Sequence, residues 1–94
     1  MKDIEKEPQT TYELVEERGQ DYGHPYDDFS RTALMWEAIL GIKIDPRDVG
    51  LCMIAVKISR EVNNHKQDNL DDIKGYAKCI EMIEEKLLTK ERLQ

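Results

Sequence analysis

Apolar residues recur at helical spacing along most of this chain, interrupted by polar stretches marked with Gly, Pro or Asn. Thr10 or Thr11 can cap a first helix running through Arg18, with Tyr12, Leu14 and Val15 as its apolar contacts and Gly19 as its stop. Phe29, Ala33, Trp36 and Leu40, widened by Met35 and Ile39, predict a second helix from about Pro25 to Leu40, closed by Gly41. Asp45-Pro46 is an N-cap followed by proline at the first helical position. The third helix that follows is apolar all round from Leu51 to Val56, which predicts burial on every side and an interface between subunits. A buried strand is the other reading of so short a run; the flanking periodicity favours a helix.

Asn63 and Asn64 break the third helix, because both resist helix interiors and tolerate turns. Asp68 is placed to cap a fourth, with Asp71 three residues on as an acidic variant of the capping box. Leu70, Ile73, Ala77, Ile80, Ile83 and Leu87 then form a long apolar stripe. Gly75 stands inside it at a cost of roughly 1 kcal/mol against Ala, a cost that close approach of a helix or ligand would explain. The expectation is an all-α fold: a bundle of about four helices, completed by oligomerisation into a dimer or tetramer. Residues 1–8 are expected to be a loose arm, 9–90 a single helical domain, and 91–94 a frayed end, with fraying from Thr89 onward.

Composition narrows the function classes. The chain has 94 residues, 36% of them charged, and a net charge of −6, which argues against non-specific binding to DNA or a membrane surface. A small charged metabolite stays compatible, because a basic pocket can sit inside an acidic shell. Cys52 and Cys79 lie in apolar helical patterns and read as small core residues, with no CxxC or Cys/His cluster for structural zinc. No signal peptide is visible and no apolar run approaches the length of a membrane span, so the expected location is the cytoplasm.

The chemistry concentrates in Lys57–Tyr76, KISREVNNHKQDNLDDIKGY, read as helix end, polar turn and helix start. Lys57 and Arg60 share a helical face, with Glu61 four residues after Lys57; Asp68 and Asp72 share another face. A short turn makes the two helices antiparallel neighbours. Glu61, Asp68 and Asp72 then offer carboxylates of the kind magnesium takes beside phosphate oxygens, and Lys57 and Arg60 offer neutralisation of phosphate charge. The plain alternative is a capping Asp68, a solvated Asp71 and a surface ion pair between Lys57 and Glu61. Upstream, QDYGHP would present Tyr22 and His24 at a helix N-terminus, where an anion is welcome; equally, Tyr22 packs on the core and His24 is exposed.

The segments YGHPYDDF, PRDVGLCMIAVKISRE and HKQDNLDDIKGYA together resemble a family of short phage and prophage proteins of unknown function, over roughly residues 16–84. Their layout is similar to the nucleotide modification associated domain. More distantly it resembles the MazG-like all-α nucleoside triphosphate pyrophosphohydrolases, whose helical hairpin holds magnesium with acidic residues. The resemblance implies Glu61 and Asp72 at metal positions with Asp68 in support, Lys57 and Arg60 on phosphate, and Tyr22 and His24 closing over the nucleotide; in a binding protein without turnover, the basic pair and Tyr22 or Tyr76 would hold it. The chain departs from the pattern, because an acidic ExxE pair is replaced by Lys57 and Arg60. Three readings follow: a protein that binds and sequesters a linear or cyclic nucleotide, such as a host signalling nucleotide a phage profits from removing; a magnesium-dependent pyrophosphohydrolase; and an oligomeric interaction module without chemistry. For a phage-encoded chain the expected location is the bacterial host cytoplasm.

Overall fold

The computed structural model describes residues 10–93 as four helices, α1 (Thr11–Tyr22), α2 (Pro25–Leu40), α3 (Pro46–Asn63) and α4 (Gln67–Leu93), with no strand among the described residues. The arm expected over residues 1–8 lies outside the described residues. Local chemistry accounts for most of the helix starts. Thr10 and Glu13 form a reciprocal capping box on α1, through Glu13 N–H to Thr10 Oγ1 at 3.1 Å and Thr10 N–H to Glu13 Oε1 at 3.0 Å. His24 Nδ1 accepts the Tyr26 N–H at 2.9 Å to cap α2, with Pro25 at its first position. Asp45 and Asp48 box the start of α3. Gly41 ends α2 at φ +72, a left-handed conformation open to glycine without steric cost.

Three boundaries differ from the sequence expectation. α1 does not stop at Gly19 but continues one more turn to Tyr22, and the reversal falls at Gly23, whose φ is +84. α4 starts at Gln67, so Asp68 sits in the first turn and is not the cap, while Asp71 accepts from Gln67 Nε2 at 3.1 Å. The helix also persists past Thr89 to Leu93.

α3 and α4 are joined through residues 64–66 and make the most extensive contact of the subunit; α2 lies against α3 and α4, and α1 packs mainly on α4. The close approach of α3 to α4 depends on Gly50, where a Cβ would stand 2.6 Å from Ile80 Cγ1. The core is small: Phe29, Ala33, Val49 and Ile83 are buried together, with Tyr26, Trp36, Met53, Tyr76 and Leu87 packed around them.

Much of the apolar surface stays outside. Leu51 is 56% exposed and Cys52 is exposed, so the stretch expected to be buried on every side has one open face within the subunit. Met35, Ile39 and Leu40, expected on the core face of α2, are 55%, 77% and 59% exposed. Cys79 is half-buried, whereas Cys52, expected in the core, is a surface residue. The shape agrees with this openness. The radius of gyration is 15.2 Å, against about 12–13 Å for a compact domain of this length, and the shortest axis spans 19 Å, about two helix diameters.

Candidate functional site

Between α1, α2 and the facing sides of α3 and α4 lies a cavity of about 430 Å³, within the size range of small-molecule sites. Its walls are apolar and aromatic: Phe29 and Trp36 from α2, Val49 and Met53 from α3, Tyr76 from α4. Phe29 and Tyr76 pack with ring centroids 6.2 Å apart and planes tilted by 45°. Gly75 leaves the α4 wall without a side chain, and the nearest neighbour to a Cβ there would be Leu14 of α1 at 3.8 Å.

One polar cluster lines this cavity. Asp72 takes a hydrogen bond from Arg18 Nη2 on Oδ1 at 2.8 Å and pairs through Oδ2 with Lys57 Nζ at 2.9 Å. Helical spacing explains why the three cooperate: Lys57 lies one turn from Met53, Asp72 one turn from Tyr76, and Arg18 one turn from Leu14. Burial alone would raise the Asp72 carboxyl, but the hydrogen bonds from Lys57 and Arg18 outweigh it and hold it below its ordinary value of 3.8. Both carboxylate oxygens are occupied, while each cation has N–H groups beyond those given to Asp72. Burial pushes the Tyr76 phenol up, opposed by the charges of Lys57 and Arg18, and burial likewise pushes up the Cys79 thiol. Both therefore stay protonated at neutral pH, and Cys79 forms part of the cavity wall.

Of the residues singled out from sequence, Lys57, Asp72, Tyr76 and Tyr22 line this cavity. The others do not. His24 caps α2 and faces a second cavity of about 440 Å³ that shares Val15, Gly23 and Pro25 with the first. Arg60 is exposed near the end of α3 and outside the cavity lining; Asp68 is exposed in the first turn of α4.

Glu61 belongs to the turn. It pairs with His65, accepts the Lys66 N–H at 3.1 Å and accepts from Asn69 Nδ2 at 3.1 Å. The His65 contact foremost, then Asn69 and Lys66, lowers the Glu61 carboxyl. Glu61, Asp68 and Asp72 are thus not gathered. Among the described residues no group of three or more His, Cys, Asp or Glu is placed to hold a metal ion. In this subunit one of these carboxylates staples a turn, one is exposed and one is already paired with two cations.

Three polar lining residues were missed from sequence. Arg18 occupies the role expected of Arg60, from a helix 54 residues away in sequence from Asp72, and no local spacing announces it. Asp28 contributes a carboxylate that makes no ion pair or side-chain hydrogen bond among the described residues, and Thr32 a hydroxyl donated to the Asp28 carbonyl at 3.1 Å. Both sit one turn apart on α2, but the aromatic neighbours that make them site residues come from other helices.

Among the described residues, no helix is long and apolar enough to cross a membrane. Residues 9–84 match the family described as Domain of unknown function (DUF6378). The chain is 39% identical over 70 residues to the Gene 55 protein of Mycobacterium phage D29, covering 73% of this chain and 46% of that protein. It is 37% identical over 78 residues to the Gene 55 protein of Mycobacterium phage L5, covering 80% and 50%. The chain thus spans about half the length of the curated relatives it matches. No solved structure matches. With the match running from residue 9 to residue 84, the chain belongs to the DUF6378 family and is related to phage proteins.

Proposed function

We propose that this chain is a phage-encoded nucleotide-binding protein that holds its ligand in the α1–α4 cavity without hydrolysing it. The observation that carries this reading is the pairing of an aromatic wall, Trp36 and Tyr76, with N–H donors of Arg18 and Lys57 in one cavity. Flat walls suit a base through stacking, and Arg and Lys suit phosphate oxygens through charge-assisted hydrogen bonds. Sequestration, including that of a host signalling nucleotide, follows from binding alone. The pyrophosphohydrolase reading suggested by the MazG-like resemblance asks for clustered carboxylates, and the positions of Glu61, Asp68 and Asp72 do not favour it.

We also infer that the functional unit is a homo-oligomer. Leu51, Ala55, Ile58 and Val62 follow one another at three- and four-residue spacing on the outer side of α3 and are all exposed, with no charged residue among them. A self-complementary apolar stripe on a thin, open subunit supports association with a second copy.

Calorimetric titration of the purified chain with nucleosides and their phosphates tests the first reading. The expected result is that one or more nucleotides bind and that Lys57→Ala weakens that binding by at least about tenfold at unchanged helicity. A panel in which nothing binds would remove the reading.

A further inference from the structure

Resting on the nucleotide reading of the cavity, we infer that its ligand is a nucleoside carrying a single phosphate, and that triphosphates are disfavoured. The inference comes from the balance of charge around the walls. Among the described residues, four side chains charged at neutral pH line the cavity: Arg18 and Lys57, against Asp28 and Asp72. The two pairs cancel.

The Arg18–Asp72–Lys57 cluster, with contacts of 2.8 and 2.9 Å, keeps one net positive charge and unused N–H donors. That charge matches one phosphate group, which brings about one to two negative charges as a diester or monoester. Each further phosphate adds negative charge with no further cation among the described lining residues to meet it. It also enters the field of Asp28, whose carboxylate has no hydrogen-bond or ion-pair partner among the described residues. A metal ion carried in on the phosphates would find no group of three or more His, Cys, Asp or Glu among the described residues to hold it. The same phosphate chemistry reaches the site from a linear 5′-monophosphate or from a 3′,5′-cyclic monophosphate.

The test is titration calorimetry on the full chain, in buffer containing a metal chelator. Adenine, guanine, cytosine and uracil are each presented as nucleoside, 5′-monophosphate, 3′,5′-cyclic monophosphate and 5′-triphosphate. For the base that binds, a one-phosphate form binds at least about tenfold more tightly than the triphosphate. The linear and cyclic arms then say which source the site takes. Asp28→Asn, which removes a charge without a partner among the described residues, narrows the gap by at least about threefold. A triphosphate that binds as tightly as the one-phosphate form overturns the inference while leaving the nucleotide reading in place. So does a gap that Asp28→Asn leaves unchanged. Absence of binding by any member removes the nucleotide reading and the inference with it.

Discussion

Arg18 on α1 and Asp72 on α4 meet at 2.8 Å across 54 residues of sequence, and Lys57 on α3 reaches the other oxygen of the same carboxylate at 2.9 Å. This one carboxylate ties three helices together and also neutralises half of the positive charge in the cavity. Asp72→Asn separates these two roles. Unfolding in urea is expected to show a loss of about 1–2 kcal/mol, less than for a fully buried pair because Arg18 keeps 40% exposure. Affinity for a one-phosphate nucleotide is expected to rise, because both cations become available. A hydrolase using Asp72 to hold metal would instead lose activity and gain nothing in binding, so a fall in affinity counts against the anion-binding account.

Acid should weaken the same junction. The Asp72 carboxyl is held below its ordinary value of 3.8 in the folded chain by Lys57 and Arg18. Its stabilising contribution is therefore complete above that value and is lost as pH falls through the depressed one. Urea midpoints measured between pH 6 and pH 2.5 should fall for the native chain, with the difference from Asp72→Asn shrinking toward the acid end. A difference that stays constant across that range would show that the carboxylate charge is not what ties α1 to the bundle.

Glu61 and Asn69 act together in the α3–α4 turn, where Asn69 is buried and donates Nδ2 to Glu61 Oε1 at 3.1 Å and to the Asn64 carbonyl at 3.5 Å. Asn69→Ala removes the donor from a buried position and is expected to cost about 1–3 kcal/mol in chemical denaturation. Glu61→Gln, in contrast, should leave nucleotide affinity within about twofold of the native chain, because the turn lies outside the cavity. A tenfold loss of affinity in Glu61→Gln, with or without added magnesium, would return Glu61 to the binding site.

What was legible in the sequence is what local chemistry decides. The Asp45-Pro46 start, the Gly41 stop and the Asn63-Asn64 break each depend on residues within one turn, and each appears where expected. The exceptions have the same logic in reverse. Gly19 has the residue type that stops many helices, yet α1 runs on to Tyr22 and turns at Gly23. Which apolar face is buried was not legible, since Met35, Ile39 and Leu51 carry the same hydropathy as core residues and are exposed only because no neighbouring helix reaches them. The candidate site divides the same way. Lys57, Asp72 and Tyr76 stood out from spacing within the α3–α4 pair, whereas Arg18 and Asp28 enter through packing of α1 and α2, and no periodicity carries that information.

Two helical glycines should respond in opposite directions to the same added methyl group. At Gly50 a Cβ would stand 2.6 Å from Ile80 Cγ1 and 3.0 Å from its Cδ1, so α3 or Ile80 must shift. Gly50→Ala is expected to destabilise by about 1–2 kcal/mol, an overpacking cost partly offset by better helix propensity. At Gly75 the nearest atom is Leu14 Cδ2 at 3.8 Å, an ordinary contact. Gly75→Ala should therefore stabilise the ligand-free chain by about 0.5–1 kcal/mol. Thermal melts of the two variants on opposite sides of the native chain would support the packing described, and destabilisation by both would refute it at Gly75.

The exposed stripe on α3 gives the last prediction. Ile58 is 50% exposed and Val62 is 82% exposed, so neither is needed to fill the core of the single subunit. A charge placed there costs little in an isolated subunit but is expensive inside an apolar interface, where it would be desolvated without a partner. Ile58→Glu should therefore leave the circular dichroism spectrum helical while shifting the mass measured by light scattering from an oligomer to about that of one chain. If the native chain already runs as a monomer at concentrations near 100 μM, association through this face is excluded in that range, and the stripe must be covered by something other than a second copy. If the native chain is oligomeric and Ile58→Glu remains so, the contact lies elsewhere, and Met35 and Ile39 on the open side of α2 are the next residues to charge.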